Sequence, residues 1–338
     1  DINNDDAHII AEIGHNHQGS LEKALQLVKM AKDAGADSVK FQKRNNKKLY
    51  TKEFFNSKYD NRNSYGETYG QHRDALEFDK QEFLEIKDYS KMLGINFFAT
   101  PFDFDSIDFL DDLDVPAFKI ASADLLNTPL QIEIAKRKKK IFLSTGHGTL
   151  DDVKRARDAI TKYNSDLVIM HCCASYPANI SDLNLSVIES YKKTFPDNII
   201  GLSDHENGID AGPIAYLLGA RVFEKHVTLD RGLKGTDHAF SLEPLGFSKF
   251  IRNIRRIPQM LGNNEKKILD SEKKPVFKMA KSIVAKKNIT KGEKINLESV
   301  TFKSPGGGLP PYKFYELENK TFKVSLKEDE IIKLEHIE

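Results

Sequence analysis

Residues 199–244 read IIGLSDHENGIDAGPIAYLLGARVFEKHVTLDRGLKGTDHAFSLEP, and they decide the fold. Two short apolar runs, 199–202 and 221–223, have the length and composition of buried strands, and the segment between them, 209–218, has that of a helix. This is one βαβ unit. A right-handed crossover makes the two strands parallel neighbours, so His205 and His226 both leave carboxyl ends on one rim. A lone histidine reads most simply as a satisfied core residue; two that converge do not. With Asp204, Glu224, Asp237 and His238 nearby, the pair is a nucleus for a divalent metal site with open positions.

Working outward, the same alternation covers most of the chain. Apolar runs occur at 8–13, 38–41, 96–99, 117–120, 140–143, 167–170, 199–202 and 221–223. Helical patterns fall between them at 21–34, 80–93, 104–113, 129–137, 150–163, 183–194 and 209–218, with 247–261 after the last run. Ser20 stands as an N-cap with Lys23, and Gly35 and Gly94 end the first two helices. Eight such pairs in about 260 residues predict an α/β (β/α)8 TIM barrel. A doubly wound open sheet is the alternative, and the lack of a glycine-rich dinucleotide turn counts against it.

One insertion, 43–78, interrupts the rhythm; rich in Asn, Tyr, Gly and charge, it is either disordered or a loop over the barrel mouth. Its tyrosines argue for order. The barrel is expected to span 1–262, followed by a charged linker at 263–280 and a small, mostly β domain at 281–338. Within that domain 282–285, 299–302, 321–324 and 331–334 are the expected strands.

Composition narrows the class of function. The 338 residues are 39% apolar and 30% charged, with 51 Lys and Arg against 50 Asp and Glu. So balanced a charge predicts no nucleic acid or membrane partner, and anionic ligands need a local site. No apolar run approaches the ~20 residues of a membrane span, and the acidic start DINNDDAHII lacks a signal-peptide pattern, which together predict a cytoplasmic protein. The adjacent cysteines Cys172 and Cys173 suit small buried positions better than a disulfide, although His171 beside them leaves a nucleophile open.

In a barrel of this kind the chemistry sits at the carboxyl ends of the strands. Those ends offer Glu12, Lys40, Gln42, Thr100, Lys119, Ser122, Asp124, Ser144, Tyr176, Ser203 and the His205–His226 pair. Polar strand ends alone prove little, because they lie at the surface. Lys40 in SVKFQ and Lys119 in AFKIAS are different: each buries a charge unless an anion meets it. Two such lysines and the hydroxyls around them make a cradle for a phosphate and a carboxylate, with a Schiff-base lysine as the competing reading. Beside a metal pair, that cradle suits condensation of phosphoenolpyruvate with an aldehyde.

At these residues the chain resembles the sialic acid synthase family, N-acetylneuraminate synthase and its nonulosonic-acid relatives. The match runs through AEIGHNHQGS, SVKFQ, FFATPFD, FKIASAD, LSTGHGT, HCCASYPA, GLSDHENG, FEKHVTLDRGLKGTDHAFSLEP and SIVAKKNITKGEKI. The resemblance implies a barrel joined to an antifreeze-like (SAF) module, in a domain-swapped homodimer where the module of one subunit caps the barrel of the other. It implies a transferase that joins phosphoenolpyruvate, an N-acyl amino sugar and water into a nine-carbon 2-keto-3-deoxy acid and phosphate, with C–O cleavage. By the same resemblance His205 and His226 hold Mn2+, Mg2+ or Co2+. Lys40, Thr100, Lys119, Ser122, Ser144 and Ser203 are then the phosphoenolpyruvate contacts, and Gln42, Asn63, Tyr176 and Asp237 the sugar contacts. Glu12 lies near the developing oxocarbenium, with Glu12 or Asp124 assisting the water.

Two departures fall on the sugar side: Ser304 stands where the bacterial N-acetylneuraminate synthases carry an arginine, and Ala174 where they carry asparagine. N-acetylmannosamine and diacetamido hexoses are therefore both expected acceptors. The nearest rivals are 3-deoxy-ulosonate phosphate synthases, which lack the appended module. A glycan- or ice-binding role for that module alone is the reading from a different class.

Overall fold

A computed structural model of the chain describes residues 6–338, so only the first part of the acidic start lies outside it. Eight strands, β1 (His8–Glu12), β2 (Ser38–Lys43), β3 (Asn96–Pro101), β4 (Ala117–Ile120), β5 (Lys140–Ser144), β6 (Leu167–Cys172), β7 (Ile199–Asp204) and β8 (Val222–His226), pair in order. All are parallel, and β8 closes onto β1 with His226 opposite Glu12. Closure excludes the open sheet. Several strands run past their apolar cores, to Cys172, Asp204 and His226, because the backbone ladder needs no apolar side chain to continue. The consequence is that the polar tips are held by strand pairing rather than by loops.

Helices cover the outside. Leu21–Ala34 starts at Ser20, whose hydroxyl accepts the Lys23 amide, and ends at Gly35, whose φ of 97° favours glycine. Fully buried Ile, Leu, Val and Phe from strands and helices, including Phe41, Phe98, Phe118, Phe223 and Phe250, form one continuous core.

The 43–78 insertion is ordered. It contains three short helices, Asn46–Leu49, Lys52–Phe55 and Tyr69–Asp74, around an aromatic cluster in which Tyr69 packs on Phe54 at 4.6 Å and on Tyr50 at 5.1 Å. Two bonds tie it to the loop after β8: Tyr65 Oη donates to the Lys234 carbonyl at 2.5 Å, and Asn63 Oδ1 accepts the Gly235 amide at 3.3 Å.

The chain divides into two compact units, 1–262 and 263–338. The second has its own core of Ile283, Ile289, Ile295, Phe314, Phe322 and Ile332. Its sheet has two strands, β9 (Ser282–Ala285) antiparallel to β10 (Val300–Lys303). The expected strands at 321–324 and 331–334 are instead isolated bridges, Phe322 to Ile337 and Val284 to Ile331, with a 3-10 turn at Leu334–His336. Each of those runs still sends an apolar anchor, Phe322 or Ile332, into the small core. The stretch read as linker also carries a helix, Lys273–Met279. Among the described residues no helix is long and apolar enough to cross a membrane.

Candidate active site

A cavity of about 570 Å3 opens at the carboxyl ends of the strands. All eight strands contribute to it: Glu12, Lys40 and Gln42, Thr100, Lys119, Ser144, Cys172, Ser203, and finally Glu224 with His226. Loops and short helical segments add His15, Arg44, Asn63, Arg73, Ser122, Tyr176, His205 and Asp237. Every expected site residue except Asp124 lines it. The Asp124 carboxylate instead accepts from Asn127 Nδ2 at 2.9 Å, at the start of the following helix, so of the two acids expected to assist the water only Glu12 lines the cavity.

The floor is a compact cluster of matched charges. Lys40 Nζ lies 2.8 Å from Glu12 Oε2 and 3.5 Å from Glu224 Oε1, and it donates to Thr100 Oγ1 at 3.0 Å. Lys119 Nζ donates to Ser144 Oγ at 2.6 Å and lies 3.7 Å from Glu224 Oε1, which also accepts from Ser203 Oγ at 3.3 Å. All four ionic groups are buried, so each relies on its neighbours for the solvation that water would give. Burial raises the Glu224 pKa, but Lys119 and Lys40 outweigh it and hold the carboxyl at about 2. For Glu12, burial wins over Lys40 and the pKa is raised, the direction that lets a carboxyl exchange a proton near neutrality. Gln42 Nε2 donates to its other oxygen at 2.6 Å. Burial opposes the charge on Lys40, yet Glu12 and Glu224 raise its pKa.

The two imidazoles meet beside this floor, with ring centroids 5.3 Å apart. His205 Nδ1 lies 2.9 Å from the Cys173 carbonyl; donating to it places the proton there and leaves the Nε2 lone pair free. Burial pushes the His226 pKa down to about 3, and its buried Nδ1 has no hydrogen-bond partner. Burial also favours the neutral form of His205, but the Cys172 sulfur at 3.8 Å and the Cys173 carbonyl shift its pKa upward. Of the acidic neighbours, Asp204 is not available, since its Oδ2 accepts from the fully buried Lys225 at 2.6 Å. Asp237 Oδ2 is 3.8 Å from His226 Nδ1. Among the described residues no group of three or more His, Cys, Asp or Glu is placed to hold an ion. The donor set therefore offers two imidazole nitrogens, and the remaining positions of an ion would fall to water or substrate.

Sequence reasoning left Arg44, Arg73 and His15 without a role, yet all three line the cavity. Arg44 and His15 follow strand ends, which is the signal that would have found them. Arg73 comes from the far end of the insertion, where spacing carries no such signal.

Residues 27–266 match the NeuB family and residues 280–338 match the SAF domain. The chain is similar to the N-acetylneuraminate-9-phosphate synthase of Mus musculus, 37% identical over 98% of this chain and 92% of that protein. It is equally similar to the N,N'-diacetyllegionaminic acid synthase of Campylobacter jejuni, 37% identical over 96% of this chain and 98% of that protein. Among solved structures it is similar to the N-acetylneuraminic acid (sialic acid) synthetase of Leptospira borgpetersenii, with a TM-score of 0.70, 34% identity, and 81% and 91% of the two chains covered. A family match across the barrel, followed by a SAF match across the second unit, places this chain in the NeuB family.

Proposed function

We propose that the chain is a nonulosonic acid synthase that joins phosphoenolpyruvate to the open-chain aldehyde of an N-acyl amino hexose. Water enters, phosphate leaves, and a nine-carbon 2-keto-3-deoxy acid results. The observation that carries this reading is one cavity in which two buried lysines with hydroxyl partners face two imidazoles. Lys40, Lys119, Thr100, Ser122, Ser144 and Ser203 hold the phosphate and carboxylate and so aim C3 at the aldehyde. A divalent ion such as Mn2+, Mg2+ or Co2+, held by His205 and His226, supplies Lewis acidity to the aldehyde oxygen when bound. Gln42, Asn63, Tyr176 and Asp237 face the sugar. Water then adds at C2, with the Glu12 carboxyl positioned to move its proton, and the C–O bond to phosphate breaks. Lys40, kept charged by Glu12, suits anion binding rather than a Schiff base.

The test offers phosphoenolpyruvate with N-acyl mannosamines and 2,4-diacetamido hexoses and follows phosphate release with and without chelator. Release that needs both an acceptor and the ion is expected. Turnover without an acceptor, or undiminished by chelator, would contradict the reading.

The SAF module is read as a cap on the barrel of a partner subunit in a homodimer. Its separate core and its exposed Tyr312 and Tyr315 support this. Deleting residues 281–338 should then raise the KM for the sugar, and an unchanged KM would count against a cap.

A further inference from the structure

The mouth of the cavity holds a second cationic group that the condensation, as described, leaves unused. His15 stands between Arg44 and Arg73: its Nε2 lies 2.9 Å from Arg44 Nη1 and its Nδ1 lies 3.2 Å from Arg73 Nη1. A neutral imidazole has one lone pair and one N–H, so it can accept from only one of these guanidiniums. The other faces a donor. Carboxylates do not make up the shortfall. Glu77 is 3.9 Å from Arg44 Nη1 but only 3.1 Å from Lys43 Nζ, and among the described residues none lies within ion-pair distance of Arg73. Asp237 acts on Arg73 only from further away.

Both guanidiniums are nevertheless held in place. Arg44 stacks 3.8 Å from the Phe102 ring and donates to Gln42 Oε1 at 2.6 Å, while Arg73 donates to Tyr69 Oη at 2.9 and 2.7 Å. On the floor, by contrast, Lys40 and Lys119 are met one for one by Glu12 and Glu224. Two fixed planar forks short of acceptors are what a phosphate monoester binds.

We infer that Arg44, Arg73 and His15 form a subsite for a phosphate monoester at the end of the acceptor sugar remote from its aldehyde. The acceptor of this chain is then a phosphorylated N-acyl hexosamine. The inference rests on the proposed condensation and deepens it. Three carbons from phosphoenolpyruvate added to a six-carbon aldose turn a 6-phosphate into a 9-phosphate, the kind of product named for the mouse relative and not for the Campylobacter one.

The experiment compares kcat/KM for N-acetylmannosamine, its 6-phosphate and a free diacetamido hexose, at saturating phosphoenolpyruvate. Wild type is measured beside Arg44→Gln, Arg73→Gln and Arg73→Lys. A preference of about tenfold or more for the phosphate ester is expected, cut about tenfold in each Gln variant and largely kept in Arg73→Lys, since one charge-assisted bond is worth roughly that much. Wild type preferring a neutral sugar overturns the subsite and leaves the condensation standing. Phosphate release with no acceptor in the set removes the condensation and the subsite together. A rise in KM for phosphoenolpyruvate in Arg73→Gln, or equal losses on all acceptors, assigns the arginines to the floor and also overturns the proposal. Should Arg44→Gln fail to fold, the wild-type preference and the Arg73 pair decide.

Discussion

The floor and the mouth of this cavity are both lined with cations, but they are built differently. On the floor, Lys40, Lys119, Glu12 and Glu224 sit on strands whose register fixes them, and charge is matched. At the mouth, His15, Arg44 and Arg73 sit on loops and a short helix, positioned by rings and hydroxyls, and positive charge is left over. Charge that the ladder fixes suits a constant reaction. Charge carried on an insertion suits whatever varies between acceptors.

The floor should break hardest. Replacing Lys40 by Met removes the nearest cation of Glu12 and one of the two beside Glu224, and breaking such a buried cluster costs about 3–5 kcal/mol. Urea denaturation is expected to show that loss, and a surviving Lys40→Met or Lys119→Met enzyme should show a rise of about tenfold or more in the KM for phosphoenolpyruvate. An unchanged KM in both would mean the lysines serve only the barrel. His205→Ala and His226→Ala should each weaken divalent-ion binding by about tenfold or more, judged by the cost of even indirect contacts. Calorimetry showing unaltered Mn2+ binding in both variants would remove the metal assignment.

Acid sharpens the comparison further. His17, in the loop after β1, stacks on Phe78 at 4.2 Å and its Nδ1 accepts the Gly19 amide. Burial pushes its pKa down to about 3, below that of the unfolded chain, so unfolded chains take the proton first. Its contribution is whole above about pH 6.5 and is lost as pH falls from there toward 3, at up to about 1.4 kcal/mol per pH unit. His17→Gln should flatten the acid limb of the stability curve; an identical slope would show that His17 does not titrate on unfolding. The smallest effect is expected at the mouth, where Tyr69→Phe removes two bonds to Arg73. About a fivefold drop in any preference for a phosphorylated acceptor should follow, from roughly 1 kcal/mol.

Much of this was legible in the sequence because strands and helices obey periodicities. Runs such as 117–120 and the helix at 80–93 coincide with Ala117–Ile120 and Lys80–Leu93. Lysines in apolar strands drew attention to the floor because burial makes an unpaired charge costly. The second unit was harder: anchors such as Phe322 and Ile332 point into a small core one at a time, and no alternation reveals that. Asp124 does not line the cavity because a residue just past a strand end can turn outward; its carboxylate accepts from Asn127, the residue that caps the next helix. The mouth was least legible. His15 meets Arg73 across 58 positions through an insertion whose path no spacing rule predicts.

The most direct measurement uses phosphoenolpyruvate labelled with 18O at the oxygen bridging carbon and phosphorus, turned over with the preferred acceptor and the metal ion. C–O cleavage on the floor predicts that the label leaves with inorganic phosphate and that the new acid is unlabelled at C2. Label retained in the acid would mean that the P–O bond breaks instead, and it would contradict the account.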